Sequence, residues 1–264
     1  MPATINLSRF KLTTFLACQR RFQLRYLRQL PWPVEPQDEQ WQEASQRGRR
    51  FHRLLERHFL GLPLAEPGEG DPLLQRWWQT FRRDGPALPP GQRLPELTLT
   101  VPLARHMLTG RFDLVVIGDE DIHVYDWKTE AQPRPAAALR DDWQTILYLA
   151  LLAEGGTALR QEPVDPDAIT LTYWFVADPS AMVTIPYSRT QHDAHWSQLI
   201  SLVEAIDSQL NVAGAWPLTE DLSQCARCAY RVFCGRQQLP AGEPLLWAEE
   251  EDTEILGLEP DLPG

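Results

Sequence analysis

Apolar and polar positions alternate along this chain with two different periods. A period of three to four residues, which is typical of amphipathic helices, covers residues 12–30, 41–60, 73–83, 136–153 and 191–210. Short runs rich in β-branched and aromatic residues predict strands at residues 97–103, 112–117, 122–127, 169–176 and 182–187. Strands and helices therefore alternate after a helical N-terminal region. This order predicts a mixed α/β or α+β fold with helices packed on a central sheet.

Two of the predicted strands form a hairpin with charged residues among its apolar positions. The polar connection at residues 118–121 pairs Ile117 with Ile122. This register places Asp113 opposite Asp126, because each step along one strand is matched by a step along the other.

The charged residues of the hairpin share one face of the predicted sheet. Period-two alternation places Asp113, Asp126 and Lys128 on the same side. Opposed like charges destabilise a sheet, and burial raises the cost further. A Mg²⁺ or Mn²⁺ ion bound by the carboxylates removes this objection and supplies a water nucleophile. Lys128 would stabilise charge on a phosphate or orient that water. The alternative is a pair of edge aspartates, with Asp126 bridged to Lys128.

Four cysteines suggest a second metal site. Cys225, Cys228 and Cys234 lie within ten residues, and Cys18 lies far upstream. Cytosolic proteins rarely use structural disulfides, so this cluster favours metal binding, with Cys18 as the fourth ligand. Four thiolates fit either tetrahedral zinc or a [4Fe–4S] cluster, and their spacing does not decide between the two.

The charge distribution indicates where a polyanion would bind. The chain of 264 residues has a formal charge of −11, yet residues 1–60 carry eleven Lys or Arg and five Asp or Glu. Basic helices of this kind bind phosphates without reading sequence, and we expect Arg49 and Arg53 to take part. The acidic residues 243–264 carry no motif, and we expect them to be disordered and dispensable. Without a signal peptide or an apolar membrane span, we expect a cytoplasmic protein.

Three motifs resemble those of a nuclease family. Gly110-x-x-Asp113 followed by Asp126-Trp127-Lys128-Thr129 resembles the PD-(D/E)XK nuclease superfamily, and the D-W-K-T form resembles its RecB-like branch. The branch's Q-x-x-x-Y motif is matched by Gln144 and Tyr148, and its G-x-x-x-H motif by Gly48 and His52. Phe112 stands where other branches have proline, a departure that is usual in the RecB-like branch.

This resemblance implies a restriction-endonuclease-like core and roles for further residues. It implies that His52 is a metal ligand beside Asp113 and Asp126, and we expect the backbone carbonyl of Trp127 to join them. It also implies that Gln144 and Tyr148 contact the DNA strand near the metal. Each has a plainer alternative: His52 as a partly buried helical histidine, and the other two as the boundary of a helix face.

The cysteine pattern extends the resemblance over residues 7–236. One distant cysteine before C-x₂-C-x₅-C is similar to the iron–sulfur CRISPR-associated exonucleases and to the nuclease domain of AddB-type helicase–nucleases. The resemblance implies a structural [4Fe–4S] cluster that joins the N- and C-terminal parts as a subdomain, with Zn²⁺ as the alternative. We expect four segments: a helical region (1–90), a nuclease core (91–212), a cysteine segment (213–242) and the acidic tail (243–264).

Together these observations predict a metal-dependent DNA nuclease, most simply a single-strand exonuclease. The resemblance implies a role in CRISPR adaptation or in DNA repair and recombination, with a CRISPR integrase or a helicase as partner. Two alternatives remain at this point. The first alternative is a non-catalytic DNA-binding subunit that retains the nuclease fold. The second is a purely structural iron–sulfur protein.

Overall fold

The computed structural model describes residues 4–31, 39–64, 70–226 and 228–239, with the backbone alone for residues 39–42. The chain forms two compact units, each assembled from separate parts of the sequence. Unit 1 consists of the described residues within Met1–Gln37, Pro102–Thr109 and Leu199–Gly264. Unit 2 consists of Asp38–Val101 and Gly110–Gln198. The acidic residues 243–264 lie outside the described residues, and the expected segment boundaries stay a prediction.

The described elements follow the predicted mixed order. The strands are β1 Asn6–Leu7, β2 Gln92–Leu103, β3 His106–Ile117, β4 Ile122–Lys128, β5 Ile169–Phe175 and β6 Val183–Pro186. The α-helices are α1 Arg9–Ala17, α2 Gln19–Phe22, α3 Glu39–Phe59, α4 Pro72–Asp84, α5 Ala136–Arg140, α6 Trp143–Gly155, α7 Thr157–Arg160, α8 Arg189–Leu210 and α9 Leu222–Ala226. A π-helix, Gln23–Leu27, continues α2, and 3₁₀ turns lie at Pro166–Ala168, Pro179–Ala181 and Ala229–Arg231. No helix among the described residues is long and apolar enough to cross a bilayer.

The sheet of unit 2 is mixed, as expected. Its strands follow the order β3-β4-β5-β6, and β2 pairs with β3. Antiparallel β3 and β4 pair Ile117 with Ile122 and Leu114 with Tyr125, which confirms the predicted hairpin register. Strand β5 lies parallel to β4, and β6 is antiparallel to β5. The parallel pair requires a crossover, and α5, α6 and α7 provide it.

Helices α3 and α4 cover one face of this sheet with an aromatic core. Phe51 of α3 and Trp78 of α4 are buried there with Trp127 and Trp174 of the sheet. Because rings of this size bury much apolar surface, they dominate the packing energy of this layer. The layer fixes α3, the helix that carries His52, against the strands that carry the acidic residues.

The sequence predicted one helix over residues 136–153, but α5 and most of α6 occupy this range, so that prediction was wrong. The helix ends at Arg140, and Asp142 then caps a new helix by accepting a hydrogen bond from the Gln144 N–H at 2.8 Å. An aspartate at this position satisfies a backbone donor that would otherwise lack a partner. The break places Gln144 in the first turn of α6, where it is buried.

Unit 1 corrects a second helix prediction, the single helix over residues 12–30. Cys18 interrupts it with an extended backbone (φ −164°, ψ 109°), and its Sγ accepts a hydrogen bond from the Arg21 N–H at 3.4 Å. Cys18 therefore lies between the end of α1 and the start of α2 and belongs to neither helix. Phe22, from α2, stacks on Trp216 with ring centroids 5.8 Å apart. This contact joins the N- and C-terminal parts of unit 1.

A buried histidine connects three more parts of unit 1. His106 Nδ1 accepts a hydrogen bond from the Ile5 N–H at 3.1 Å, and its Nε2 lies 2.6 Å from Asp207 Oδ1. Arg105 Nε donates to the same carboxylate oxygen at 2.6 Å. Strand β1 pairs in parallel with residues 107 and 108 beside this contact.

Candidate active site

The site in unit 2 starts from an ion pair between helix α3 and strand β3. His52 Nδ1 lies 3.1 Å from Asp113 Oδ1. The other oxygen, Asp113 Oδ2, accepts a hydrogen bond from the backbone N–H of Trp127 at 2.6 Å. The G-x-x-x-H motif, which contains His52, and the D-W-K-T motif, which contains Trp127, therefore both contact Asp113. The Trp127 side chain points into the aromatic core instead.

A glycine lets the histidine helix approach the sheet. A Cβ placed on Gly48 would lie 3.2 Å from Thr129 Oγ1, which is closer than most Cβ contacts in proteins, so the neighbour would have to shift by a few tenths of an ångström. His52 lies one helical turn further along α3, on the same side of the helix as Gly48. The G-x-x-x-H spacing thus has a physical basis: the glycine allows the contact, and the histidine uses it.

Asp126 and Lys128 form a second group that is held by Gln144. Lys128 Nζ lies 2.7 Å from Asp126 Oδ1 and donates to Gln144 Oε1 at 3.1 Å. Gln144 Nε2 in turn donates to Asp126 Oδ2. An amide can do both because it carries a donor and an acceptor. In this structure the polar atoms of Gln144 therefore contact the acid and the base of the site.

Tyr148 connects helix α6 to strand β3, which carries Asp113. Its hydroxyl donates to the backbone carbonyl of Arg111, and its ring packs on Phe112 with centroids 4.5 Å apart. A Cβ on Gly110 would lie 2.7 Å from Leu151 Cδ1, so the glycine permits the close approach of α6. Gln144 and Tyr148 therefore both contact parts of the site, and their contact with a DNA strand stays a prediction.

Glu96, of strand β2, is a third acid at the site, and none of the sequence motifs includes it. In the structure Glu96 Oε2 lies 2.6 Å from Arg111 Nε. Oxygens of Glu96 and Asp113 and a ring nitrogen of His52 lie within 4.8 Å of one another, the one such group of three possible metal ligands among the described residues. No local motif marked Glu96. The signal that could have found it is an isolated acid directly before the predicted strand at residues 97–103.

The electrostatics of His52 and Asp113 reflect their pairing. Burial on its own would lower the pKa of His52, but the charge and hydrogen bond of Asp113 outweigh it and raise the pKa to about 9. Burial would raise the pKa of Asp113, but the charge of His52 outweighs it and keeps that pKa below its ordinary value.

The other two carboxyl groups are shifted in the opposite direction. Burial raises the pKa of Asp126 to about 6, although the charge of Lys128 opposes the shift. Burial, together with the charge of Asp113, raises the pKa of Glu96 to about 7. Crowded carboxylates with raised pKa values are stabilised in their charged form by a cation. The donor set of imidazole nitrogen and carboxylate oxygens therefore fits a divalent ion such as Mn²⁺ or Mg²⁺.

Four of the five arginines of α3 fall into two pairs with different surroundings. Arg47 and Arg50 contact Asp71, the residue that caps helix α4, at 2.9 and 3.4 Å. Arg49 Nη1 donates to Ser45 Oγ at 3.2 Å, and Arg53 is exposed to solvent. Arg49 and Arg53 are the two arginines expected to bind DNA.

All four cysteines lie in unit 1 and line one cavity. No three of their Sγ atoms lie within 4.8 Å of one another. Burial raises the pKa of the Cys228 and Cys234 thiols. The cysteines therefore share a cavity without being in mutual contact as a group of three.

Two arginines give this cavity a positive character. Arg21 is only 7% exposed and lines the cavity, and its Nη1 has no hydrogen-bond partner among the described residues. Arg236 Nη1 lies 2.7 Å from Cys225 Sγ. A buried guanidinium nitrogen without a hydrogen-bond partner is stabilised by a nearby anionic group. Cysteine thiolates, alone or bound to a metal, would be such a group.

Comparison with known proteins identifies the fold. The family model of the PD-(D/E)XK nuclease superfamily matches residues 6–235. This chain belongs to the PD-(D/E)XK nuclease superfamily. The match spans all of the elements from β1 to the cysteine segment, and the family assignment confirms the expected fold class.

Solved structures add a likeness in fold to this PD-(D/E)XK nuclease. A candidate exonuclease from Eubacterium rectale is 10% identical, with a TM-score of 0.53 over 96% of this chain and 94% of that one. The protein SSO0001 is 14% identical, with a TM-score of 0.41 over 90% of each chain. No curated protein matches the sequence significantly. The first likeness is consistent with a nuclease fold, and the superfamily's divalent-metal chemistry agrees with the donor set described above.

Proposed function

We propose that this PD-(D/E)XK nuclease is a RecB-like, divalent-metal-dependent deoxyribonuclease that degrades single-stranded DNA from its ends. The observation that carries the proposal is the assembly of the three motifs in unit 2. His52 contacts Asp113, and Asp126 contacts Lys128. A binding subunit without activity would have no use for a paired acid and lysine at this point.

Each residue has a role that follows from its chemistry. His52, Asp113 and Asp126, with the backbone carbonyl of Trp127, would hold the ion. When bound, Mg²⁺ or Mn²⁺ supplies Lewis acidity at the scissile phosphate and lowers the pKa of a water. Lys128 stabilises negative charge that develops on the phosphate oxygens.

The arginines on the surface of α3 support binding of the phosphate backbone. Arg49 and Arg53 are placed on the helix that carries His52, so they would guide a flexible strand towards the acidic residues. Contacts of this kind are independent of sequence and weaken with salt. Replacing Arg53 by Gln should weaken binding of all sequences alike and reduce the salt slope by about one unit. Arg83→Gln, on α4, is the control, because Arg83 pairs with Asp84 instead.

Substrate choice is tested with three forms of the same DNA. With Mn²⁺, linear single strands should be degraded faster than blunt duplex, and closed circular single strands should be resistant. Rapid cutting of circles would contradict degradation from ends and indicate an endonuclease. Blunt duplex degraded as fast as linear single strand would contradict the single-strand preference.

We propose further that the four cysteines bind a structural [4Fe–4S] cluster. The support is the sequence pattern, in which one distant cysteine precedes C-x₂-C-x₅-C, as in the iron–sulfur nucleases that the chain resembles. All four cysteines also line one cavity of unit 1. The buried Arg21 supports an anionic occupant of either kind.

Metal content decides between these occupants. Protein purified without oxygen should be brown and hold about four iron and four labile sulfide per chain. Colourless protein with one zinc per chain would contradict the iron assignment and retain the four-ligand site. Cys18→Ala should destabilise the chain as much as Cys228→Ala, since each would remove one ligand. The pathway we propose, CRISPR adaptation or DNA repair with an integrase or a helicase, is tested by co-purification with partner proteins.

A further inference from the structure

Glu96 has an unusual backbone conformation for a residue inside a strand. Its φ is +51°, in the left-handed region that side chains with a Cβ rarely adopt. Such strain persists only where the surrounding structure imposes it, and it concentrates at catalytic and ligand-binding sites.

The carboxyl group of Glu96 lies beside His52 and Asp113. Ligand atoms of these three residues lie within 4.8 Å of one another, the one such group among the described part of the chain. Asp126 is not in the group. One of its oxygens lies 2.7 Å from Lys128 Nζ, and the other accepts a hydrogen bond from Gln144.

Glu96 is enclosed and shares its neighbourhood with another acid. Its side chain is 13% exposed, and Arg111 Nε lies 2.6 Å from one carboxylate oxygen. The negative charges of Glu96 and Asp113 repel each other, so placing the two acids side by side is unfavourable without a compensating cation. A divalent cation between the two acids turns this repulsion into attraction, and imidazole with two carboxylates is a donor set that suits Mn²⁺.

We propose that Glu96 is a direct ligand of the catalytic divalent cation beside His52 and Asp113, and that Arg111 positions its carboxylate. The inference rests on the proposed metal-dependent nuclease activity and adds a ligand that no sequence motif marks. Donors from three elements, α3, β2 and β3, meet at this point. Their assembly therefore depends on the packing of the strand that precedes the hairpin.

The test is a calorimetric titration of Mn²⁺ into wild type, Glu96→Gln and a control. The Gln variant keeps the shape of the side chain and removes its charge. The control is Glu154→Gln, because Glu154 is also an ion-paired acid of unit 2, 2.8 Å from His192. Glu96→Gln should weaken Mn²⁺ binding by about tenfold or more, as loss of a ligand or of its support does. Glu154→Gln should bind Mn²⁺ as wild type does.

Two results would overturn the proposal in distinguishable ways. If wild type binds Mn²⁺ and Glu96→Gln binds it equally well, Glu96 is only the partner of Arg111. If wild type binds no Mn²⁺, the ligand assignment and the proposed nuclease activity both fail. If circular dichroism shows Glu96→Gln to be unfolded, the double variant Glu96→Gln/Arg111→Met removes both charges of the pair. It should also bind Mn²⁺ more weakly, and unchanged affinity would overturn the assignment.

Discussion

At the scale of single residues, the site depends on one amide that holds both an acid and a base. Gln144 is buried, accepts a hydrogen bond from Lys128 and donates one to Asp126. Neither a carboxylate nor an ammonium group offers both a donor and an acceptor when charged. The glutamine of the Q-x-x-x-Y motif is therefore a positioning residue for the acid and the lysine.

Replacing Gln144 by Ala should slow Mn²⁺-dependent cleavage and weaken Mn²⁺ binding, each by roughly 10- to 100-fold, because residues that support ligands have effects of this size. The measurements are single-turnover cleavage of linear single strands and calorimetric titration of Mn²⁺. Gln191→Ala, an exposed glutamine at the start of α8, is the matched control. Wild-type Mn²⁺ affinity in Gln144→Ala would show that the amide does not position Asp126.

At the scale of elements, the approach of helix α3 to the end of strand β4 sets the position of His52. Gly48 and Thr129 form the contact, and an added Cβ at Gly48 would lie 3.2 Å from Thr129 Oγ1. Alanine favours a helix interior over glycine by about 1 kcal/mol. Any loss of function in Gly48→Ala therefore has to come from displacement of the helix.

Gly48→Ala should lower the cleavage rate, and the double variant Gly48→Ala/Thr129→Ala should recover part of it because the crowding oxygen is gone. Such non-additivity is expected of residues in contact. Thr129→Ala alone, measured in the same single-turnover assay, completes the cycle. Additive effects of the two substitutions would contradict the contact as the cause.

The ion pairs of Asp207 should make the stability of unit 1 depend on pH. Burial would raise the pKa of Asp207, but the hydrogen bonds from His106 and Arg105 outweigh it and lower that pKa below 3.8. A lowered carboxyl pKa stabilises the fold above the ordinary value, and this contribution is lost as the pH falls through the folded-state pKa. Hydrogen bonds to charged groups are worth about 1.5–3 kcal/mol.

Asp207→Asn should therefore reduce the free energy of unfolding by about 1–3 kcal/mol at pH 7. The difference from wild type should shrink as the pH falls below about 4. Denaturant unfolding at several pH values measures it, with the exposed Asp193→Asn on the same helix as the control. A difference that is constant down to pH 3 would contradict the assigned ion pairs.

At the scale of the whole molecule, the sequence predicted what depends on local pattern. The hairpin register follows from a four-residue connection and strand alternation, and the structure confirms it. The helix breaks at Cys18 and Asp142 depend on capping contacts that periodicity does not register. Glu96 joins His52 and Asp113 only through tertiary packing, so no single segment could reveal it.

The two units also separate the two kinds of chemistry. The cysteines come from the first and last parts of the chain and lie in unit 1. His52, Asp113, Asp126 and Lys128 lie in unit 2. Loss of the proposed cluster should therefore act on stability first, and loss of Lys128 should act on chemistry while the chain remains folded.

The central claim, that unit 2 holds an active nuclease site, is tested most directly by the Lys128→Ala variant. Cleavage of linear single-stranded DNA is measured with Mn²⁺ at saturating enzyme, and DNA affinity is measured in Ca²⁺ by fluorescence anisotropy. Wild type should cleave only with Mn²⁺ or Mg²⁺, and the variant should bind DNA as wild type does but not cleave it. Cleavage by Lys128→Ala at the wild-type rate, or wild-type protein that binds DNA but never cleaves it, would contradict the account.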